Sequence, residues 1–276
     1  MLEKEISYVG RNLHYSISGD VIRATAKRVV RKVLESAGFR VYHRDVLPYG
    51  VEYMLDIERL ARIWNLPIRT FFDIGANLGQ TSRLALTSFS EAQVFAFEPD
   101  PVTFAKLLEC LGKHPRLMTY NVALSNASGS VPFFRYTSST LSSLIPNAQY
   151  PMRKGVTPER ITVECTTLDG FCGLHSVQLI DVLKVDTEGG DFFVLQGARQ
   201  LLSAGRVRFV YLEFNDMSPR AGSTGGALAP ISDFLAQFGF RFVATYPDYM
   251  EFGIEMHVGA NALFVHPPVN ATGVVG

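Results

Sequence analysis

The sequence predicts an α/β domain with a doubly wound, mostly parallel sheet, preceded by a helical extension. Three observations predict it. From residue 70 onward, short apolar runs alternate with segments of helical periodicity, as strands joined by crossover helices do. The first run, Thr70 to Ile74, ends in the turn Asp73-Ile74-Gly75-Ala76-Asn77-Leu78-Gly79, which leads into a helical segment. Finally, successive runs end in acids or an amide, at Asp73, Glu98, Asn121, Asp186 and Glu213. Ligands of open α/β sheets bind beyond the carboxyl ends of the strands, so this rim is where chemistry is expected.

The elements follow in order. Residues 1–20 carry no clear pattern. In 21–36, Ile22, Ala26, Val29, Val30 and Val33 recur at helical spacing, with Arg23, Lys27, Arg28, Arg31 and Lys32 between them. A basic amphipathic helix of this kind either docks on protein by its apolar face or lies on an anionic membrane surface. Glu52 to Trp64 reads as a second helix, stopped before Pro67, and residues 1–66 form the extension.

The domain proper runs over 67–266. Thr70–Ile74 is a buried parallel strand, Gln80–Ser88 a helix and Gln93–Phe97 a strand. Asp100 caps a helix that starts on Pro101 and runs to Leu111, and Leu117–Val122 is the third strand. An insertion spanning roughly 125–160 follows. Within it Ser125 to Gly129 is turn chemistry, Val131 to Phe134 an added strand, and 137–158 a long Ser- and Pro-rich loop. Ile161–Thr166 alternates as a strand, and a short helix follows Asp169. The alternation resumes with strand Val182–Val185, helix Phe192–Leu202 closed by Gly205, and strand Val207–Leu212. Loop Asn215–Ala227, helix Ile231–Phe238 capped by Gly239, and strands Phe240–Thr245 and Ala262–Val265 complete it. Residues 267–276 read as a disordered tail.

Composition narrows the function classes. A chain of 276 residues with 47% hydrophobic content can bury one large core. Its 26 basic and 26 acidic side chains balance, which argues against a nucleic-acid binder. Cys110, Cys165 and Cys172 are scattered, so neither a zinc site nor a disulfide scaffold is expected. The start MLEKEISYVGRNLHYS has no apolar signal core, and no run of about 18 apolar residues spans a membrane. The chain therefore reads as cytoplasmic, where the sequon Asn270-Ala271-Thr272 has no role. A homo-oligomer is compatible with all of this.

The glycine turn suits a nucleoside cofactor. Gly75 and Gly79 permit a tight loop at a helix N-terminus. A nicotinamide site wants a second glycine where this chain has Asn77, and Asp73 is poorly placed beside a pyrophosphate. An acid there suits a cationic ligand such as S-adenosylmethionine. Glu98, 25 residues after Asp73, can accept hydrogen bonds from both ribose hydroxyls.

DIGANLG, FAFEPDP, NVALSN, TLDGF and LIDVLKVDTEGGDFFVLQGA together resemble the FkbM family of methyltransferases over roughly residues 70–200. The resemblance implies a class I, Rossmann-like methyltransferase fold with an antiparallel last strand, and methyl transfer from S-adenosylmethionine to oxygen on sugars or polyketides. It places Asp73, Gly75, Asn77, Gly79 and Glu98 on the cofactor motif, and Asn121 to Ser125 near the adenine. Asp186, Glu188 and Gly189 fall beside the reacting methyl. One departure is Gly190-Asp191, where the family more often has Ala-Glu; the change affects the helix start.

The acceptor is expected to be the hydroxyl of a small molecule or glycan, which must lose its proton as it attacks. Asp186 is the candidate base, with Glu188 beside it. His257 could reach the acceptor pocket or be an ordinary loop histidine. Asp186, Glu213 and Asn215 are hard oxygen donors that could hold Mg²⁺; alternatively Glu213 orders the loop after it. Phe133, Phe134, Tyr136 and Tyr150 flank the long loop, where they either stack on a sugar or pack the insertion. A non-catalytic cofactor-binding module and a nicotinamide-dependent oxidoreductase are the rival readings.

Overall fold

A computed structural model describes residues 19–38, 47–146, 157–214, 226–252 and 256–268, with side chains at all of these except 19–27, 248–252 and 256–259. The chain divides into two compact units, Met1–Pro48 and Tyr49–Gly276. The first contains helix α1 (Gly19–Ser36), on which Val29, Val30, Val33 and Leu34 are exposed. No helix among the described residues is long and apolar enough to cross a membrane.

The second unit begins with α2 (Tyr53–Ile63), which the sequence reading groups with the extension. Glu52 caps it by accepting the Met54 and Leu55 amides. Next come β1 (Thr70–Ile74), α3 (Gln80–Ser88), β2 (Gln93–Phe97), α4 (Pro101–Leu111) and β3 (Leu117–Tyr120). An insertion carries β4 (Ala123–Ser125), β5 (Gly129–Arg135) and a 3₁₀ turn at Ser139–Leu141, and leads into β6 (Glu159–Thr167). The main alternation continues through α5 (Leu168–Leu174), β7 (Ile180–Val185), α6 (Asp191–Gln196), α7 (Arg199–Ser203) and β8 (Val207–Phe214). It ends with α8 (Leu228–Ala236), β9 (Arg241–Phe252) and β10 (Met256–Val265).

Seven strands form one sheet in the order β3-β2-β1-β7-β8-β10-β9. All neighbours are parallel except β10, which runs antiparallel to both β8 and β9. The order reverses between β1 and β7, which creates the crevice where ligands of such sheets bind. Alternate residues of the central strands point to opposite faces. Phe72, Ile74, Leu183, Val185, Val210 and Leu212 pack under α5 to α8, whereas Phe71, Val94, Val182 and Phe209 pack under α2 and α3. A sheet covered on both faces explains why these strands read as continuous apolar runs. The insertion is a small second sheet, β4-β6-β5.

One element differs from expectation. Helix 192–202 is two helices, broken at Gly197. A Cβ on Gly197 would lie 2.1 Å from the Ser125 carbonyl oxygen, so the backbone of the insertion occupies that space. The freed Gly197 carbonyl accepts the Asp169 amide, and the Asp169 carboxylate caps α7 by accepting from the Gln200 and Leu201 amides. The break thus ties the start of α5 to α7 and leaves room for the Ser125 backbone.

Candidate active site

The glycine turn doubles back over the end of β2. The Gly75 and Ala76 amides both donate to the Phe97 carbonyl. Gly75 has φ 73°, and a Cβ there would sit 1.8 Å from the Asp186 carbonyl oxygen. Only glycine lets the ends of β1 and β7 close this tightly. Asn77 also takes a positive φ, which asparagine tolerates. Gly79 is the cap residue of α3, packed against Leu107 and Leu111, and does not line the cleft.

Glu98 ends β2 with its carboxylate buried. Its two oxygens accept the Asn77 amide at 3.0 Å and the Asp100 amide at 2.9 Å. Burial pushes its pKa up to about 7, against the pull of those two amide donors. Asp100 takes the helix-capping role, accepting from Val102 and Thr103 and pairing with Arg135 of the insertion. Glu98 is therefore left facing the cleft with lone pairs to spare.

Beneath the turn lies a charge cluster that sequence reading assigned incompletely. Lys184 projects from near the end of β7, directly beside Asp73 in register. Its buried ammonium lies 3.1 Å from Asp73 Oδ1 and 3.5 Å from Asp186 Oδ2, and donates to the Gly75 carbonyl. Burial alone would pull the lysine down; the charges of Asp73 and Asp186 outweigh it and push its pKa up. Asp73 is fully buried and also accepts from Ser82. Its Oδ1 lies against Lys184, and Asp73 is not among the residues lining the cavity described below. Tyr53 of α2 stacks on Tyr211 at 3.8 Å, and its hydroxyl, raised chiefly by burial, adjoins Lys184, Asp73 and Thr81.

Asp186 is the accessible member, with 42% of its side chain exposed. It groups with Glu188 and Glu213, each offering an oxygen within 4.8 Å of the others. Glu188 has φ 56°, a conformation costly for a side-chain-bearing residue. Asp191 starts α6 and holds the preceding turn by accepting from the Thr187 amide and hydroxyl. Burial, then the charge of Asp186, raises its pKa. Asn215 lies outside the described residues. His257 is on β10 opposite Glu251, and its side chain is outside the described set.

A cavity of about 720 Å³, including the part open to solvent, runs from Glu98 to Asp186 and Glu188. Gly75, Asn77, Glu98, Asp186 and Glu188 line it on the sheet side. Val122, Ala123, Leu124, Phe133 and Leu144 make an apolar wall. Asn121 and Ser125 are not among the lining; Asn121 instead donates its amide to the Glu98 and Pro99 carbonyls and so braces the β2 turn. Phe133 and Tyr136 are buried, and Phe133 both packs the insertion and lines the cavity, while Tyr150 lies outside the described residues.

The insertion crosses the mouth of the cleft. Ser139 donates to Asn77 Oδ1 at 2.9 Å. The hydroxyl of Ser143, also buried, is shared between the Thr187 and Glu188 carbonyls. Residues 139–144 therefore strap the glycine turn to the segment after β7. Sequence patterning could not locate these contacts, because they come from a stretch without periodicity.

The chain is similar in sequence to known methyltransferases. A family model described as the methyltransferase FkbM domain matches residues 73–242. The 2-O-methyltransferase NoeI of Sinorhizobium fredii is 30% identical over 196 residues, covering 67% of this chain and 77% of that protein. The 31-O-demethyl-FK506 methyltransferase FkbM of Streptomyces tacrolimicus is 27% identical, with 67% and 77% covered. The hexuronic acid methyltransferase AglP of Haloferax volcanii is 30% identical over 145 residues, 52% of this chain and 55% of that protein.

Proposed function

This chain belongs to the FkbM family of methyltransferases, and on that footing we propose that it moves a methyl group from S-adenosylmethionine to a hydroxyl oxygen of a sugar, glycan or natural-product intermediate. It is an S-adenosylmethionine-dependent methyltransferase. The observation that carries the finer reading is one half-exposed carboxylate, Asp186, at the switch point of the sheet and on the same cavity as Glu98. The names of the relatives, a 2-O-methyltransferase and a 31-O-demethyl-FK506 methyltransferase, support oxygen as the acceptor.

In this reading Glu98 accepts the two ribose hydroxyls, and the apolar wall of Val122, Leu124, Phe133 and Leu144 holds the adenine. The acidic rim of Asp186, Glu188 and Glu213 faces the cationic end of the cofactor. The sulfonium methyl is already activated, so the chain mainly aligns the acceptor oxygen in line behind it. Asp186 takes the hydroxyl proton as the oxygen attacks. Lys184 holds that carboxylate in place from the buried side. Binding is checked by thermal shift: S-adenosylmethionine or its demethylated product should raise the melting temperature and NAD should not. A rise with NAD alone would favour an oxidoreductase and defeat the proposal.

The close approach of Asp186, Glu188 and Glu213 also favours a second reading, a divalent cation such as Mg²⁺ on their oxygens. The donor type fits, although the Lys184 ammonium already competes for Asp186. Such a cation would make the acceptor hydroxyl more acidic. Turnover that vanishes with EDTA and returns with Mg²⁺ is the expected result if the cation is required. Turnover indifferent to EDTA would defeat the cation reading.

A further inference from the structure

We propose that α1 is a membrane-surface helix that holds the chain on bilayers carrying anionic lipid. At 100° per residue, Ile22, Ala26, Val29, Val30, Val33 and Leu34 fall on one arc of about 140°, wider than a coiled-coil seam needs. Lys27, Arg28, Arg31 and Lys32 occupy the opposite arc, with Val21 among them, while Arg23 falls within the apolar arc between Val30 and Leu34. Where side chains are described, the apolar arc is open: Val29 and Val30 are 56% exposed and Val33 is 61% exposed. Exposed valines in register on one helix face have no reason to persist in water without a partner.

Charge selects the partner. The whole chain balances 26 basic against 26 acidic side chains. Yet α1 carries five basic residues against Asp20 and Glu35, and Glu35 is already paired with Arg31 at 2.7 Å. Two copies of this helix would repel each other, and two heptads are too short for a stable coiled coil. Nucleic acid would satisfy the basic arc and leave the valines in water. A bilayer with anionic headgroups satisfies both arcs together. The apolar face enters the acyl boundary, and the long basic side chains reach back to the phosphates.

The test uses the full chain and extruded vesicles, of phosphatidylcholine alone or mixed with phosphatidylglycerol. The chain should sediment with the mixed vesicles at least about tenfold more strongly, and high salt should abolish the difference. Val30→Asp/Val33→Asp and Lys27→Glu/Arg31→Glu should each lose the binding while keeping the melting temperature and the affinity for S-adenosylmethionine. Equal sedimentation with both vesicles, or none, overturns the proposal. So does a chain that scatters as a dimer in solution and becomes monomeric in the valine variant without ever binding vesicles.

Discussion

Asp186→Asn should lower turnover by about 10² to 10⁴-fold, the usual range for removing a general base. The amide is nearly isosteric and still offers an oxygen to Lys184, which lies 3.5 Å from Asp186 in the native chain. What it cannot do is take the acceptor's proton. The dissociation constant of S-adenosylmethionine should therefore stay within about threefold, because the site keeps its shape and its other carboxylates. Parallel calorimetry and initial rates separate the two effects. A variant that loses cofactor affinity and turnover together would make Asp186 a binding residue and leave the base unassigned.

Glu98→Ala should have the opposite profile, weakening S-adenosylmethionine by on the order of 100-fold, since hydrogen bonds to a charged acceptor contribute about 1.5–3 kcal/mol each. The same carboxylate makes binding pH-dependent. Its pKa is about 7 because burial disfavours the charge, and the ribose hydroxyls need the ionised form as acceptor. Native affinity should rise as pH increases through about 7, and the cofactor should pull the pKa down in return. Without cofactor the sign reverses for stability. Between its ordinary 4.5 and about 7 the folded state holds the proton better than the unfolded state. Stability then falls as pH rises across that window, by about 3 kcal/mol from this group. Glu98→Gln should flatten both dependences, measured by calorimetry and by urea unfolding across the window.

The strands and helices of the central domain were legible because their causes are local. Buried strands leave apolar runs, and Asp100-Pro101 and the glycine after Ile74 announce their ends. The break at Gly197 was not legible, because its cause is the Ser125 carbonyl, far away in sequence. Residues 139–144 hid for a similar reason. Their order comes from Asn77, Thr187 and Glu188, not from any period of their own. Lys184 leaves a signal in the sequence. A lysine inside an apolar run destined for a central strand is a buried charge, and a buried charge requires partners. The pairing of Asp73 with Lys184 is not legible in the sequence, since it follows from the register of β1 on β7.

The most direct test of the account supplies S-adenosylmethionine carrying a ¹³C-methyl group, together with a panel of glycans and hydroxylated natural products. Nuclear magnetic resonance of the products then reports the atom that received the label. The expected product is a labelled methyl ether on a hydroxyl oxygen, formed by the native chain and not by Asp186→Asn. Label on nitrogen or on a carboxylate, or an equal yield of ether from the variant, would contradict it.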